Sequence, residues 1–302
     1  MSFDVVPGSG GTGSPAVAAS RAADAERLVQ SLTLELAGEK IDLPSFPEVA
    51  SRVRKALAND DVEIEDAVRI IAAEPSLAAR LLQLANSAAL NTSGKRIADL
   101  RQALSRIGFN MARSAAIAFA MSQLRRAEAY RGLEQPLDEL WQRSAHVAAV
   151  SHVVAHRFTK VNADTALLSG LLQCVGKLYL LTRAVRFPSV LADPALYQRV
   201  VAPLHGRITQ AILRNWEIAD EVVVAVVASE NQDREHDGAT DLTDVLAVGS
   251  ALASQSPDAR PEEMLFLGMP AARRMKLDAD RCALALRDSH AEIVSLRQAL
   301  GS

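Results

Sequence analysis

The chain has 302 residues, of which 49% are hydrophobic and only 4% aromatic, and its formal net charge is −3. Ala and Leu dominate the apolar residues, and this helix-favouring composition predicts an all-α protein. Because basic and acidic residues nearly balance, the composition argues against a partner such as the phosphate backbone of nucleic acids. The two cysteines lie far apart in the sequence and indicate neither a disulfide framework nor metal-ligand spacing.

Signals for export or for a membrane are weak in this sequence. Residues 1–22 are rich in Gly, Ser and Ala and lack the basic-then-apolar pattern of a signal peptide, so they predict a disordered tail. The most apolar run, Ala166–Leu181, is interrupted by polar residues at positions 169, 173 and 177, which makes it too polar for a membrane span. The sequence therefore predicts a soluble cytoplasmic protein without a membrane partner.

Hydrophobic periodicity predicts helices joined by short loops, with no convincing strand. Two prolines make Leu43–Pro47 extended, and a polar break around residues 128–136 predicts a sub-domain boundary. The predicted helices are Asp24–Leu36, Glu48–Ala58, Ile64–Ala73, Pro75–Ala88, Ile97–Ile107, Asn110–Arg126, Leu137–Phe158, Asp164–Leu181, Pro194–Asn215, Asp220–Ser229, Leu242–Ala253, Pro261–Gly268 and Asp278–Leu300.

The helix from Pro75 to Ala88 has the clearest start and stop signals in the chain. Pro75 suits the first turn, where its missing N–H costs nothing, and leucines recur after it at helical spacing. Asn86 and Ser87 end a helix that is otherwise almost all Leu and Ala. They are interpreted as a helix-terminating pair whose side chains satisfy backbone groups, with a binding role as the alternative.

The histidines are the first place to look for a metal site. His152 and His156 are spaced i, i+4 and therefore share one helical face. The position after His152 is Val153, where a zinc peptidase has Glu, so the pair is predicted to lie on a solvated helix face, with a metal-binding role as the alternative. The sequence also lacks a nucleophile elbow, a phosphate loop and a dinucleotide fingerprint.

The apolar run around Gln173 carries two glycines and one amide. Gly170 and Gly176 are predicted to allow close helix–helix contact rather than to hold a phosphate. Burying the Gln173 amide requires hydrogen-bond partners, so a polar group should face it, either in a structural network or in a vestigial site.

Several motifs in a fixed order resemble one family. These motifs are Leu43-Pro-Ser-Phe-Pro47, Glu74-Pro-Ser-Leu-Ala-Ala-Arg-Leu-Leu-Gln-Leu-Ala-Asn-Ser87, Ile97 to Gly108, Trp141-Gln-Arg-Ser144, Ser169-Gly-Leu-Leu-Gln-Cys-Val-Gly-Lys177, and His205 with Trp216. With them, the sequence resembles the HDOD domain, a bacterial signalling module related to the HD and HD-GYP phosphohydrolases, over roughly Leu43 to Asp241.

The resemblance implies an all-α fold in which an N-terminal helical bundle packs on a C-terminal HD-like bundle. The expected organisation is a disordered tail (1–22), an N-terminal helical sub-domain (23–130), an HD-like sub-domain (131–255) and C-terminal helices that complete the fold (256–302). Structural roles are expected for the motif residues Pro75, Asn86, Ser87, Gly108, Trp141 and Trp216.

The resemblance also places the metal ligands of the catalytic relatives on this sequence. An early His falls on Arg143, the His-Asp pair on Gln173-Cys174, and a later His-His-Glu near Ala228-Ser229-Glu230. Of these relatives' ligands only His205 and Glu230 are present, which is too few for a divalent metal centre. Arg143 would place a positive charge where the cation binds, and Lys177 follows the pair. The implied vestigial HD pocket comprises Arg143, Gln173, Cys174, Lys177, His205 and Glu230, with no catalytic, cofactor-binding or metal-binding residue.

These expectations combine into one function and two alternatives. The expected function is a non-catalytic regulatory module of bacterial signal transduction that binds another signalling protein. One alternative is a divergent metal-dependent phosphohydrolase, which the missing ligands oppose. The other is a nucleotide sensor, for instance of a cyclic dinucleotide, in which Arg143 and Lys177 would contact phosphate. No cofactor and no nucleic-acid partner are expected.

Overall fold

The computed structural model describes residues 15–37, 53, 63–87, 90–91, 94–125, 132–255 and 264–300, and within these ranges the regular structure is entirely helical. The predicted all-α class is confirmed. The predicted extended segment Leu43–Pro47 and most of the predicted helix Glu48–Ala58 lie outside the described residues. In chain order the helices are α1 (Pro15–Ala37), α2 (Ile64–Ala72), α3 (Pro75–Ala85), α4 (Leu100–Arg125), α5 (Glu134–Phe158), α6 (Ala163–Leu172), α7 (Val175–Ala184), α8 (Pro188–Leu191), α9 (Pro194–Asn215), α10 (Asp220–Ala228), α11 (Leu242–Leu252), a 3-10 helix (Leu265–Gly268), α12 (Pro270–Arg274), α13 (Ala279–Asp288) and α14 (His290–Ala299).

Several predicted helix boundaries were wrong; for instance, α4 begins at Leu100 rather than Ile97, and α5 begins at Glu134 rather than Leu137. Helix α1 begins at Pro15 rather than Asp24, because proline is favourable in a first turn and the segment after it is rich in Ala. The helix predicted over Asp164–Leu181 is two helices, separated by a turn at Gln173 and Cys174. The helix predicted over Asp278–Leu300 is also two, separated at the buried Ser289.

Helix α4 contains the break that was predicted at Gly108. This residue has φ 74° and ψ 168°, far from helical values, although the helical segments continue on both sides. A positive φ of this size is readily adopted only by glycine. Gly108 therefore ends one helical segment and sets the direction of the next.

The contacts divide the chain into two compact units, residues 1–43 with 175–215 and residues 44–174 with 216–302. In the first unit α1 packs against α8 and α9, and α7 packs against α9. Leu28 and Leu32 of α1 are fully buried there. A Cβ added at Gly176 would lie 2.9 Å from the carbonyl oxygen of His205, so this glycine permits the close contact predicted for it.

The second unit is built around α5. This helix packs against α6, α11 and α14, and its residues 144–155 are buried almost without exception. A Cβ added at Gly170 of α6 would lie 2.6 Å from the Cα of Ala148, and Gly249 of α11 approaches Ser151 in the same way. The two glycines let neighbouring helices approach the α5 backbone, which places polar residues of α6 and α11 next to one another.

The segment Ala163–Ala184 is long and apolar enough, by composition alone, to cross a membrane. It comprises α6 and α7 with the intervening turn, and 67% of its most apolar window is buried inside the protein. Such burial is typical of helices that form a protein core.

Candidate functional site

The Gln173 side chain lies at the centre of a hydrogen-bonded polar network. Its Nε2 donates to the Oγ of Ser229, which follows α10, at 3.1 Å. Its Oε1 accepts from the Oγ of Ser250 on α11 at 2.8 Å. Ser229 in turn donates to the carbonyl oxygen of Val226 at 3.0 Å. We call Gln173, Ser229, Ser250, Ser254 and Arg143 the Gln173 network.

Arg143 of α5 joins this network from the surface. Its guanidinium donates to the Oγ of Ser254 at 3.2 Å, and Ser254 donates to the carbonyl oxygen of Ser250 at 2.9 Å. Arg143 is exposed, whereas Ser229 is 5% exposed. The network therefore runs from a charged group in solvent to neutral groups in the protein interior.

Three positions that the resemblance aligns with metal ligands thus meet in one network: Arg143, Gln173 and Ser229. Their polar atoms are an amide, a hydroxyl and a guanidinium, and the amide uses both its donor and its acceptor within the network. The polar partner predicted to face Gln173 is present, in the form of two serine hydroxyls. An arrangement of this kind satisfies buried hydrogen-bonding groups without a ligand.

The remaining predicted pocket residues have other surroundings. Cys174 is buried, and its thiol donates to the carbonyl oxygen of Leu171 at 3.6 Å. Glu230 is exposed. Lys177 and His205 belong to the first unit, where Lys177 is exposed and the buried His205 has its Nε2 3.3 Å from the Oγ1 of Thr209.

A second polar cluster, which was not predicted from the sequence, joins the loop after α10 to the start of α11. Within the described ranges, His236, Asp241 and Asp244 are the three potential metal ligands whose atoms come within 4.8 Å of one another. The Asp244 carboxylate is buried and accepts from Arg234 at 3.3 Å and from Arg274 at 3.1 Å, while the Nε2 of His236 lies 3.0 Å away. Two guanidinium groups thus supply the positive charge that an ion would bring.

The local sequence explains how this cluster forms. Asp241 and Asp244 make a capping box at the start of α11, with each side chain accepting from the other residue's backbone N–H. Burial raises the pKa of Asp241, but its hydrogen bonds from Arg234 and the Asp244 backbone, together with the Arg234 charge, outweigh burial and hold that pKa below its usual range. The spacing of Asp241 and Asp244 is the sequence signal from which the capping box could have been predicted. Their arginine partners could not be predicted in this way, because they are 7 to 30 residues away in the sequence.

The prediction that His152 and His156 both lie on a solvated helix face holds for His156 but was wrong for His152. His156 is exposed, but His152 is buried, because α14 packs over that part of α5. The side chain of Glu292 on α14 faces the imidazole of His152.

The helix-terminating interpretation of Asn86 agrees with its contacts. Asn86 ends α3, and its Nδ2 donates to the carbonyl oxygens of Leu82 at 2.8 Å and Ile97 at 2.7 Å. The Ile97 N–H donates back to its Oδ1 at 2.8 Å. Ser87 differs, since its buried Oγ has no hydrogen-bond partner in the part of the chain that the structure describes. Pro75 begins α3, and both tryptophans, Trp141 and Trp216, are buried.

Comparison with known proteins places the chain in a family. Residues 43–232 match the model of the HDOD domain, which is more than half of the sequence. The chain belongs to the HDOD domain family. The resemblance drawn from the motifs is thereby confirmed.

Three relatives indicate how far the HDOD similarity extends. A solved structure of a protein from Shewanella amazonensis, named as a metal-dependent phosphohydrolase, is 25% identical with a TM-score of 0.72, covering 92% of this chain and 99% of that one. A protein from Marinobacter aquaeolei, named as a signal transduction protein, is 18% identical with a TM-score of 0.59, covering 94% of this chain and 67% of that one, and shows the fold alone. An uncharacterized protein of Treponema pallidum is 22% identical over 65% of this chain, which spans only 40% of that relative's length.

Proposed function

We propose that this HDOD chain is a non-catalytic regulatory module of bacterial, cytoplasmic signal transduction that acts by binding another signalling protein. The Gln173 network carries the proposal. Where the catalytic relatives would gather imidazole and carboxylate ligands, this chain gathers an amide, hydroxyls and a guanidinium that bind one another. A divalent ion needs several anionic or imidazole ligands around one point. The network instead fixes the positions of α6, α10 and α11 relative to one another.

Two alternatives compete with this proposal. The Shewanella protein is named as a metal-dependent phosphohydrolase, and it is similar over nearly the whole of this chain. A divergent hydrolase would have to recruit His205 or Glu230 to a metal. A nucleotide sensor would instead use the positive charge of Arg143, which is exposed at the edge of the Gln173 network.

The proposed partner surface is the loop Glu230–Asp241. Arg234 and Arg274 hold this loop through Asp241, Asp244 and the carbonyl oxygen of His236, so its shape is set before a partner binds. Its outward side chains are mostly acidic and exposed, including Asp233 and Asp237. A preformed acidic loop favours a partner with a basic surface, since complementary charge speeds and directs association.

One experiment addresses both the binding and the absence of catalysis. Partners captured from bacterial extracts by cross-linking to the full chain are expected to lose binding when Asp233 and Asp237 are both replaced by Lys. Replacing the exposed Glu221 of α10 by Lys is the matched control and should leave binding unchanged. In parallel, the protein is loaded with manganese or iron and tested for hydrolysis of bis(p-nitrophenyl) phosphate.

The expected hydrolysis rate is that of the metal in buffer, for the wild type and for His205→Ala alike. Metal-dependent hydrolysis that His205→Ala abolishes would establish the phosphohydrolase and overturn the proposal. A rise in melting temperature with a cyclic dinucleotide that Arg143→Gln removes would establish the sensor instead, because a ligand of the native state stabilises it.

A further inference from the structure

A basic surface covers the segment before α4 and the first turns of that helix. Residues 94–113 contain five basic residues and one acidic residue, in a chain whose formal net charge is −3. Four of the basic side chains are exposed: Lys95, Arg96, Arg101 and Arg106. The acidic residue, Asp99, caps α4, because its Oδ2 accepts from the backbone N–H of Gln102 at 3.0 Å. The positive charge of this surface therefore exceeds the negative charge of its own segment.

This basic surface contains a cavity of about 390 Å³. We call it the α4 groove, and it is lined by Ile97, Arg101, Gln102, Ser105 and Arg106. The four α4 residues form two pairs spaced i, i+4, so neighbouring rows of the helix present two guanidinium groups, an amide and a hydroxyl. Ile97 is held by the Asn86 amide through hydrogen bonds of 2.7 and 2.8 Å. The groove is thus held in shape before a ligand binds, which lowers the cost of binding.

One guanidinium of the α4 groove already binds a carboxylate. The Nη2 of Arg101 lies 2.6 Å from the Oε1 of Glu65, and the two side chains are 63% and 52% exposed. An ion pair as exposed as this one contributes little to stability, so another carboxylate can replace Glu65 at low cost. The Nη1 of Arg106 donates to the carbonyl oxygen of Leu90 at 3.4 Å, which is long for a hydrogen bond.

We propose that the α4 groove binds an acidic segment of a partner protein, whose carboxylates contact Arg101 and Arg106. A planar guanidinium matches a carboxylate in shape as well as in charge. Gln102 and Ser105 supply neutral hydrogen-bonding groups for the backbone of the segment. This surface is opposite in charge to the proposed partner loop Glu230–Asp241. It shares no residue with that loop, so the two proposals can fail independently.

An acidic protein segment fits the α4 groove better than a nucleic acid does. Surfaces that bind single strands combine basic residues with aromatic side chains on which the bases stack, and the described lining of the groove contains no aromatic residue. A long polyanion would also extend beyond the groove, over a chain of net negative charge. A short acidic segment can instead contact the two arginines alone.

The test is binding of a fluorescein-labelled hexaglutamate peptide to the full chain, followed by fluorescence anisotropy at several salt concentrations. Wild type is expected to bind the peptide, with an affinity that falls as salt is added, because salt screens exposed charges. Arg101→Gln and Arg106→Gln should each weaken binding by about fivefold. Both arginines are exposed, so circular dichroism should show that the variants fold.

Two matched controls separate the α4 groove from charge in general. Arg287→Gln removes an exposed arginine of α13 and should leave peptide binding unchanged. Glu65→Gln removes the competing carboxylate and should tighten binding. Asp66→Asn should tighten binding less, because Asp66 pairs with Arg69, at 2.6 Å, and not with a residue of the groove.

Three results would overturn the proposal. The first is absence of peptide binding at low salt. The second is binding that Arg287→Gln weakens as much as Arg101→Gln does, because the attraction would then not be confined to the α4 groove. The third is tighter binding of a single-stranded DNA of six nucleotides that Arg101→Gln and Arg106→Gln both weaken, which would make nucleic acid the ligand of this surface.

Discussion

The side-chain amides of Asn86 and Gln173 each form hydrogen bonds between segments that are not adjacent in the sequence. The Asn86 amide makes three hydrogen bonds: one to Leu82 within α3, and two with Ile97 that connect the end of α3 to the segment before α4. The Gln173 amide makes two, which connect α6 with α10 and α11. Removing such an amide leaves several partners unsatisfied, and that loss costs more than the average value of a hydrogen bond.

Asn86→Ala is expected to lower the free energy of unfolding by about 1–3 kcal/mol, because the N–H and carbonyl oxygen of Ile97 lose their partner. Urea unfolding followed by circular dichroism measures the change. Gln83→Ala is the control, since Gln83 is an exposed amide on the same helix. Equal stability of the two variants would show that the Asn86 hydrogen bonds contribute nothing net.

These two residues also show what a sequence can predict about single side chains. The role of Asn86 follows from its position at the end of a Leu-rich helix, because its partners lie within 11 residues. The need of Gln173 for partners was predictable from burial, but the partners themselves, 56 and 77 residues away, were not. The burial of His152 was missed for the same reason, since it depends on a helix at the other end of the chain.

Helices of the second unit approach one another closely at glycine positions, where no side chain separates the backbones. Gly170 of α6 faces the backbone of Ala148 on α5, and Gly249 of α11 faces Ser151 on the same helix. The glycine at 170 was predicted to permit close packing because it lowers helix propensity and so needs a compensating reason. The break between α6 and α7 was not predicted, because no proline marks it and apolar residues continue at helical spacing on both sides of Gln173.

Gly170→Ala is expected to destabilise the protein by about 1–3 kcal/mol, since the added methyl group would overlap backbone atoms of Ala148 that cannot move independently. The intrinsic gain in helix propensity, about 1 kcal/mol, acts in the opposite direction. Gly268→Ala is the control, because a Cβ there meets no atom within 4 Å. A Gly170→Ala variant as stable as wild type in thermal unfolding would mean that α6 can shift away from α5.

For the whole molecule, two properties are the hardest to predict from the sequence: which segments pack into the same unit, and where charged side chains cluster. Residues 175–215 group with residues 1–43, although 131 residues separate the two segments. No periodic pattern encodes that association, which depends on contacts such as those between α1 and α9. The sub-domain limits at residues 130 and 255 remain predictions.

The overall net charge likewise does not reveal local clusters of charge, such as the cationic surroundings of His146.

We expect the stability of the protein to depend on pH because of the cationic groups around His146. His146 of α5 has a buried Nδ1 without a hydrogen-bond partner in the described ranges. Burial lowers its pKa, and the charges of Arg297 and Arg143 lower it further. In the unfolded chain the imidazole titrates near its ordinary pKa of about 6.5. As the pH falls through that value, the unfolded state takes up a proton that the folded state does not, so the free energy of unfolding decreases.

His146→Gln is therefore expected to reduce the loss of stability between about pH 7.5 and pH 5.5, because the unfolded variant has no imidazole to protonate at this position. His152, whose pKa is lowered mainly by burial, contributes in the same direction and keeps part of the slope in the variant. Urea unfolding at several pH values gives the slope, and His290→Gln serves as a control at an exposed position. A His146→Gln curve parallel to that of wild type would show that His146 binds its proton equally in both states, and that its guanidinium neighbours do not repel it.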